Sequence, residues 1–333
     1  MLPEAKSWLE ARHTVAYQPD LADDPSALRK AIYKTQALLI SPKVKVGPEF
    51  LDFAPCLRVV ARMHDNADNI DLESCRERKI RVIQPTSANV RANAEFLLGG
   101  LLMLARRGYG TTMFGSRRPT EAKMGRELNG SVVGVLGLAP AAHALSVPLN
   151  AMGVRLIGYD PAVHHTSPIW DRLGIQPVTL HELLATADSV SVQIMYASRY
   201  RGFINDKVLA HCKPGQAWVA VGRSALFDEA ALAAALSDGR IEACIIDGAD
   251  APFGGDRSPL AGAGNLMLTP RLASQTRESR LRASWYVADR MHEYIAAATT
   301  PPVSSFDPLM SQPMDLELPY KEPVTWGAGQ ASL

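Results

Sequence analysis

The segment Val132-Val-Gly-Val-Leu-Gly137-Leu-Ala-Pro-Ala-Ala142-His143 runs from a β-branched apolar stretch through a glycine into residues of helical spacing. A strand that ends in a tight turn and continues as a helix is the first half of a βαβ unit. The next apolar run, Val154-Arg-Leu-Ile-Gly-Tyr159, ends on Asp160, 23 residues after Gly137. This layout fits a dinucleotide site, with a helix start facing a pyrophosphate and a carboxylate receiving ribose hydroxyls. The letters depart from the usual G-x-G-x-x-G, reading G-L-A-P-A-A. Gly137 keeps the turn and Ala142 is a tolerated third position, but Ala139 adds a methyl where backbone should approach phosphate. Pro140 suits a first helical turn while removing one N–H from the anion site. Asp160 favours NAD, because a carboxylate repels the extra phosphate of NADP. An ordinary βαβ unit without nucleotide fits the same letters, with Asp160 before Pro161 as a turn former.

Outward from this segment, β-rich runs alternate with helix-period stretches in both directions, the pattern of parallel sheets covered by helices. Ala37–Ile40, Leu57–Ala61 and Ile80–Ile83 form one series; Val132–Leu136, Val154–Tyr159, Ser189–Gln193, Ala217–Val221 and Cys244–Asp247 form a second. Two α/β domains of Rossmann-like or flavodoxin-like type are expected. Between the series, Ala94 to Arg107 reads as a long buried helix, followed by a loop carrying Gly108, Gly110, Gly115 and Pro119. A helix-period segment from Thr276 to Ala298 places Trp285, Val287, Met291 and Ile295 so as to return the chain to the first sheet. The expectation is a discontinuous substrate domain, 1–98 plus 288–333, with a dinucleotide domain, 99–287, inserted in it. From Pro301 onward, prolines exclude regular structure, yet Phe306, Leu309, Met310, Leu316, Leu318, Tyr320 and Trp326 suggest an arm rather than a solvated tail.

With 333 residues and 47% hydrophobic positions, the chain can bury a large core. A formal charge of +1 offers no field for nucleic acid or an anionic membrane, so a small-molecule partner is expected. Cys56, Cys75, Cys212 and Cys244 form no CxxC or Cys/His cluster, which argues against structural zinc or a disulfide framework, and no metal is expected. The amino terminus lacks the apolar core of a signal peptide, and the longest apolar run, Phe96–Ala105, is half the ~20 residues that cross a bilayer. A cytoplasmic protein is expected.

Several pieces together resemble the D-isomer-specific 2-hydroxyacid dehydrogenase family over Ala37 to Tyr294. They are Ala67-Asp-Asn-Ile-Asp71, Val133-Gly-Val-Leu-Gly137, Gly158-Tyr-Asp-Pro161, Arg201-Gly-Phe-Ile-Asn205, Lys213-Pro-Gly215, Leu226–Leu236, Gly239-Arg-Ile241 and Leu268-Thr-Pro270. The resemblance implies an NAD-dependent oxidoreductase and, by analogy, a homodimer. It places Arg223 where the family holds the substrate carboxylate and carbonyl, a task suited to a permanently charged fork. Asp247 falls where the family has an aspartate near the nicotinamide carboxamide.

The departures fall on the acid/base groups. Where the family reads T-P-H, this chain has Thr269-Pro270-Arg271, and where a glutamate precedes proline it has Ala251-Pro252, with Asp250 one position away. Arginine, with a pKa above ~12, stabilises charge but does not cycle protons near neutrality. The substrate loop, small and glycine-rich in the family, reads His64-Asp65-Asn66. His64 is therefore the candidate proton carrier, Asp65 and Asn66 are candidate substrate contacts, and Tyr196 is a candidate facing the cofactor side. Three readings stay open: an oxidoreductase with an altered substrate, an enzyme of elimination or hydration type, and a catalytically silent dinucleotide binder.

Overall fold

A computed structural model describes residues 1–64, 69–107 and 124–297. The expected C-terminal arm, the glycine-bearing loop after Arg107, and Asp65 and Asn66 lie outside these residues.

Two parallel sheets are present. The smaller contains β1 (Ala37–Ile40), β2 (Val59–Arg62) and β3 (Arg81–Ile83) in the order β1-β2-β3. The larger contains β4 (Val132–Leu136), β5 (Arg155–Tyr159), β6 (Gln176–Pro177), β7 (Ser189–Val192), β8 (Gln216–Val221), β9 (Ile241–Asp247) and β10 (Leu266–Thr269), in the order β10-β9-β8-β7-β4-β5-β6. Central strands of a parallel sheet are covered on both faces, so β7 is buried at every residue and β4 at four of five. The chain winds outward in both directions from β4, and the crevice at the carboxyl ends of β4 and β7 is where open α/β sheets take ligands.

The helix Val90–Ala105 buries Ala94, Leu97, Leu101 and Leu104, spaced three and four apart, against Val133 and Val135 of β4, Val219 of β8 and Ile245 of β9. The expected junction at 98/99 falls within this helix. The last described helix, Arg277–Ala297, sends Val287 and Met291 into a core with Val59, Ala61 and Ile83 of the small sheet. Trp285 does not follow them: it is 39% exposed and meets Trp8 of the helix Pro3–Glu10 edge-on.

Beside Trp8, His13 Nε2 lies 2.9 Å from His292 Nδ1, so one ring must donate and the other accept. Desolvation, then the His292 and Arg12 charges, lower the His13 pKa below its ordinary value. A histidine whose folded pKa is depressed contributes stability that is present above about pH 6.5 and lost as pH falls through the folded value. The melting temperature is therefore expected to fall on acidification from neutrality, and His13→Gln to lessen that fall. Equal slopes in thermal melts of the two proteins would show that the pair does not contribute.

Candidate active site

The nucleotide loop is held by its backbone. Gly137 has φ +97, and a Cβ there would lie 2.4 Å from Ile194 N and 2.5 Å from Gln193 C, so only glycine fits between the ends of β4 and β7. Ala139 has φ −57, an ordinary value. The second glycine of the usual pattern is thus not required by conformation, and the methyl of Ala139 is tolerated without strain.

The helix Pro140–Ala151 starts with no side-chain cap. Its nearby donors are largely committed: Leu138 N–H to Asp160 Oδ2 at 2.6 Å, Ala139 N–H to Gln193 O at 3.2 Å, and Ala142 N–H to Ala139 O at 2.8 Å. Ala141 N–H has no acceptor among the described residues, so it is a donor available to an anion. The other oxygen of Asp160 accepts from Ala162 N–H at 2.7 Å. His143, in the same helical turn, has its pKa lowered by burial first and by the Arg172 charge second, while a bond to the Leu138 backbone opposes.

Three further strand ends bring the charged groups together. Gly248, at φ +94 after β9, lets the chain pass Gly222 so closely that a Cβ would stand 2.2 Å from Gly222 O. That approach sets Arg223, which follows β8, beside Asp250. Arg223 Nη1 donates to Asp250 Oδ2 at 3.2 Å, and Arg271 Nη2 donates to both Asp250 oxygens at 3.2 and 3.0 Å. Arg223 also stands 5.9 Å from the Tyr196 ring centroid. Asp250 thus bridges the arginine predicted to hold substrate and the arginine in the place of the histidine.

Asp247 is buried one strand inward. It accepts from Thr269 Oγ1 at 2.6 Å and from Leu272 N–H, fixing the turn that carries Arg271 at φ +59. Burial pushes its carboxyl above the usual range, with the hydrogen bonds from Thr269, Ala273 and Leu272 and the Arg271 charge acting the other way. A cavity of about 240 Å³ is lined by Ala139, Pro140 and Ala141 from the loop, Gln193 and Ile194 after β7, and Asp247, Gly248, Arg271 and Ser274 beyond β9. Thr86, Val90 and Asn93 also line it. Ala142 is buried behind the loop. His64 is exposed in the turn after β2 and does not line the cavity.

Residues 98–273 match the profile of the D-isomer specific 2-hydroxyacid dehydrogenase NAD binding domain. The chain belongs to this family. Over 286 residues it is 32% identical to an (S)-sulfolactate dehydrogenase of Chromohalobacter salexigens, covering 85% of this chain and 92% of that protein. A D-3-phosphoglycerate dehydrogenase of Mycobacterium bovis is 32% identical over 283 residues, of which this chain spans 52% of the length. The crystal structure of a glyoxylate reductase from Paecilomyes thermophila superposes with a TM-score of 0.77 at 20% identity, over 89% of this chain and 92% of that one, a likeness of fold.

As a dehydrogenase of this family the chain is an NAD-dependent oxidoreductase, and the unclaimed Ala141 N–H on the cavity wall, at the start of a helix, suits the phosphates of that cofactor. Buried polar atoms normally have partners. Asn93 Oδ1 and Gln193 Oε1 have none; both residues line the cavity, but these two oxygens are themselves shut off from solvent. Neither was apparent from sequence. Asn93 lies on the inner face of an apolar helix, and a polar residue on such a face is the signal that could have revealed it. Arg62, a charged residue ending a buried strand, gave a similar signal: it is 3% exposed and donates to Asn69 Oδ1, tying the end of β2 to Asn69.

Among the described residues no group of three or more His, Cys, Asp or Glu is arranged to hold a metal ion, and no helix is long and apolar enough to cross a membrane.

Proposed function

We propose that the dehydrogenase acts on a small 2-hydroxy acid or the corresponding keto acid, gripping its anionic group with Arg223 and Arg271. The observation that carries this reading is the Asp250 carboxylate held by both guanidinium groups. A carboxylate already sits where two forks converge, so a substrate acid group would find the same donors. Asp250 is 47% exposed in its side chain, and ion pairs of that kind are worth about 1 kcal/mol or less, so exchanging it for a substrate anion is inexpensive.

NAD, when bound, supplies the hydride acceptor or donor. The chain's own residues do the rest. Ala141 N–H would meet the pyrophosphate, Asp160 the adenosine ribose and Asp247 the nicotinamide side, with Gly137 keeping the loop close. Both Asp160 oxygens already accept backbone N–H groups, but a carboxylate has about four acceptor positions, leaving room for two hydroxyls. Arg223 and Arg271 would stabilise charge on the substrate oxygen, with Tyr196 packed beside Arg223. His64 would move the proton, and Asp65 and Asn66 would line the substrate loop. The two-part domain division, 1–98 plus 288–333 around 99–287, fits the return of the last helix to the small sheet. A cytoplasmic location and a homodimer complete the proposal. The relatives are dehydrogenases, which leaves elimination chemistry and silent binding without support.

The test couples binding to turnover. NADH is expected to enhance in fluorescence on binding and to bind more tightly than NADPH. (S)-Sulfolactate and a panel of other 2-hydroxy acids would then be offered with NAD while NADH absorbance is followed. A clear preference for NADPH would remove the role of Asp160; oxidation of uncharged alcohols as fast as of acids would remove the role of the arginines.

A further inference from the structure

A second cavity, of about 670 Å³, opens at the amino-terminal ends of β2 and β3. The proposed substrate loop follows the carboxyl end of β2, so about 10 Å of strand separates the two places. Four of the residues lining this cavity are cationic, Arg58, Arg78, Lys79 and Arg81, and none is acidic. Arg78 is tied to Asp52 at 2.7 Å, and Arg81 stacks over Tyr294 with its guanidinium 4.8 Å from the ring centroid. Arg58 and Lys79 have no ion-pair partner among the described residues.

Lys79 adds a second observation. It follows the helix Leu72–Glu77 at φ +57, where Lys79 N–H bonds Arg76 O at 3.0 Å and Ile80 N–H bonds Cys75 O at 2.8 Å. Glycine is the usual occupant of such a helix-ending turn, and a residue with a Cβ is strained there. Lysine at this position adds a charge to the cavity wall where glycine would be more stable. Like charges gathered around one concavity repel one another, and a multiply charged anion relieves that repulsion.

We propose that this cavity binds an organic phosphate of nucleotide size. The volume lies within the roughly 300–1,000 Å³ of small-molecule sites. Guanidinium groups match phosphate oxygens two at a time, and a lysine ammonium adds a point charge. Nothing in this inference depends on the NAD cavity or its chemistry.

The experiment uses the full chain saturated with NADH, so that the dinucleotide loop is filled, and titrates inorganic tripolyphosphate by calorimetry. One binding event with a Kd below about 1 mM is expected, weakening as salt is raised. Arg58→Gln and Lys79→Gln should each weaken it by about tenfold while leaving NADH affinity unchanged. Lys79→Gly should weaken it similarly and raise the melting temperature, a combination that general unfolding does not produce. No binding by the unaltered protein up to about 10 mM, or binding that none of the three variants weakens, would overturn the proposal.

Discussion

Gly137→Ala should abolish measurable NADH binding and lower stability by about 2–6 kcal/mol. The added methyl meets backbone on the facing segment, at 2.4 Å from Ile194 N and 2.6 Å from Gln193 O, and neither atom belongs to a side chain that can rotate away. Left-handed backbone with a Cβ costs roughly 1–3 kcal/mol, and overpacking a fixed site a further 1–3. The loop would have to move off β7, carrying Ala141 N–H out of place and breaking the Leu138 N–H bond to Asp160. Ala139→Gly is the control: its φ of −57 makes no demand for glycine, so stability should change by less than about 1 kcal/mol. NADH affinity should hold or improve as the methyl leaves the cavity wall. Denaturant titration and NADH fluorescence read both effects, and normal NADH binding by Gly137→Ala would show that the loop does not carry the cofactor.

The second large effect concerns the arginines. Arg223→Gln should lower kcat/KM by about 10³, the loss typical when a donor aimed at developing negative charge is removed. Asp250→Ala should act differently, lowering KM because the internal carboxylate no longer competes for the two forks. Glyoxylate, pyruvate and hydroxypyruvate should be reduced poorly, since Arg271 cannot give up a proton without about 1.4 kcal/mol for each pKa unit separating it from a suitable acid. Arg271→His alone should restore little, because Ala251 leaves the new imidazole without an orienting carboxylate. Arg271→His/Ala251→Glu should recover up to about 100-fold, the lower end of what a general acid contributes. Efficient reduction of the three keto acids by the unaltered enzyme, undiminished in His64→Ala, would mean that a different group carries the proton.

Much of the architecture was legible because parallel strands announce themselves as apolar runs. Seven of the eight expected runs lie largely within strands, and even Leu57–Ala61 contributes most of β2. The short strand β6, two residues ending on a proline, gave no such run. Gly137 and Asp160 were legible because a positive φ and a strand-end carboxylate leave fixed letters at fixed spacing. The Asp250 bridge was not, because it depends on Gly222 and Gly248 passing one another, a contact between strand ends 26 residues apart. Asp250 was visible as a neighbour of the missing glutamate, yet its two partners emerge only when β8, β9 and β10 stand side by side. Trp285 misled for a related reason: helical spacing places it near the inward face, but the hydrophobic stripe that meets the small sheet is narrow and passes through Val287 and Met291.

The two oxygens of Asp160 each hold a backbone N–H, one from the nucleotide loop and one from the turn after β5. A redesign that exchanges this aspartate for a small neutral residue to admit NADP would therefore unlatch the loop at the same stroke. Asparagine would keep only one of the two latches, because its amide oxygen can accept one N–H while its amide nitrogen, a donor, would face the other. Retargeting the enzyme to the phosphorylated cofactor therefore calls for a second acceptor, such as a bridging water, combined with a new cation farther along the turn.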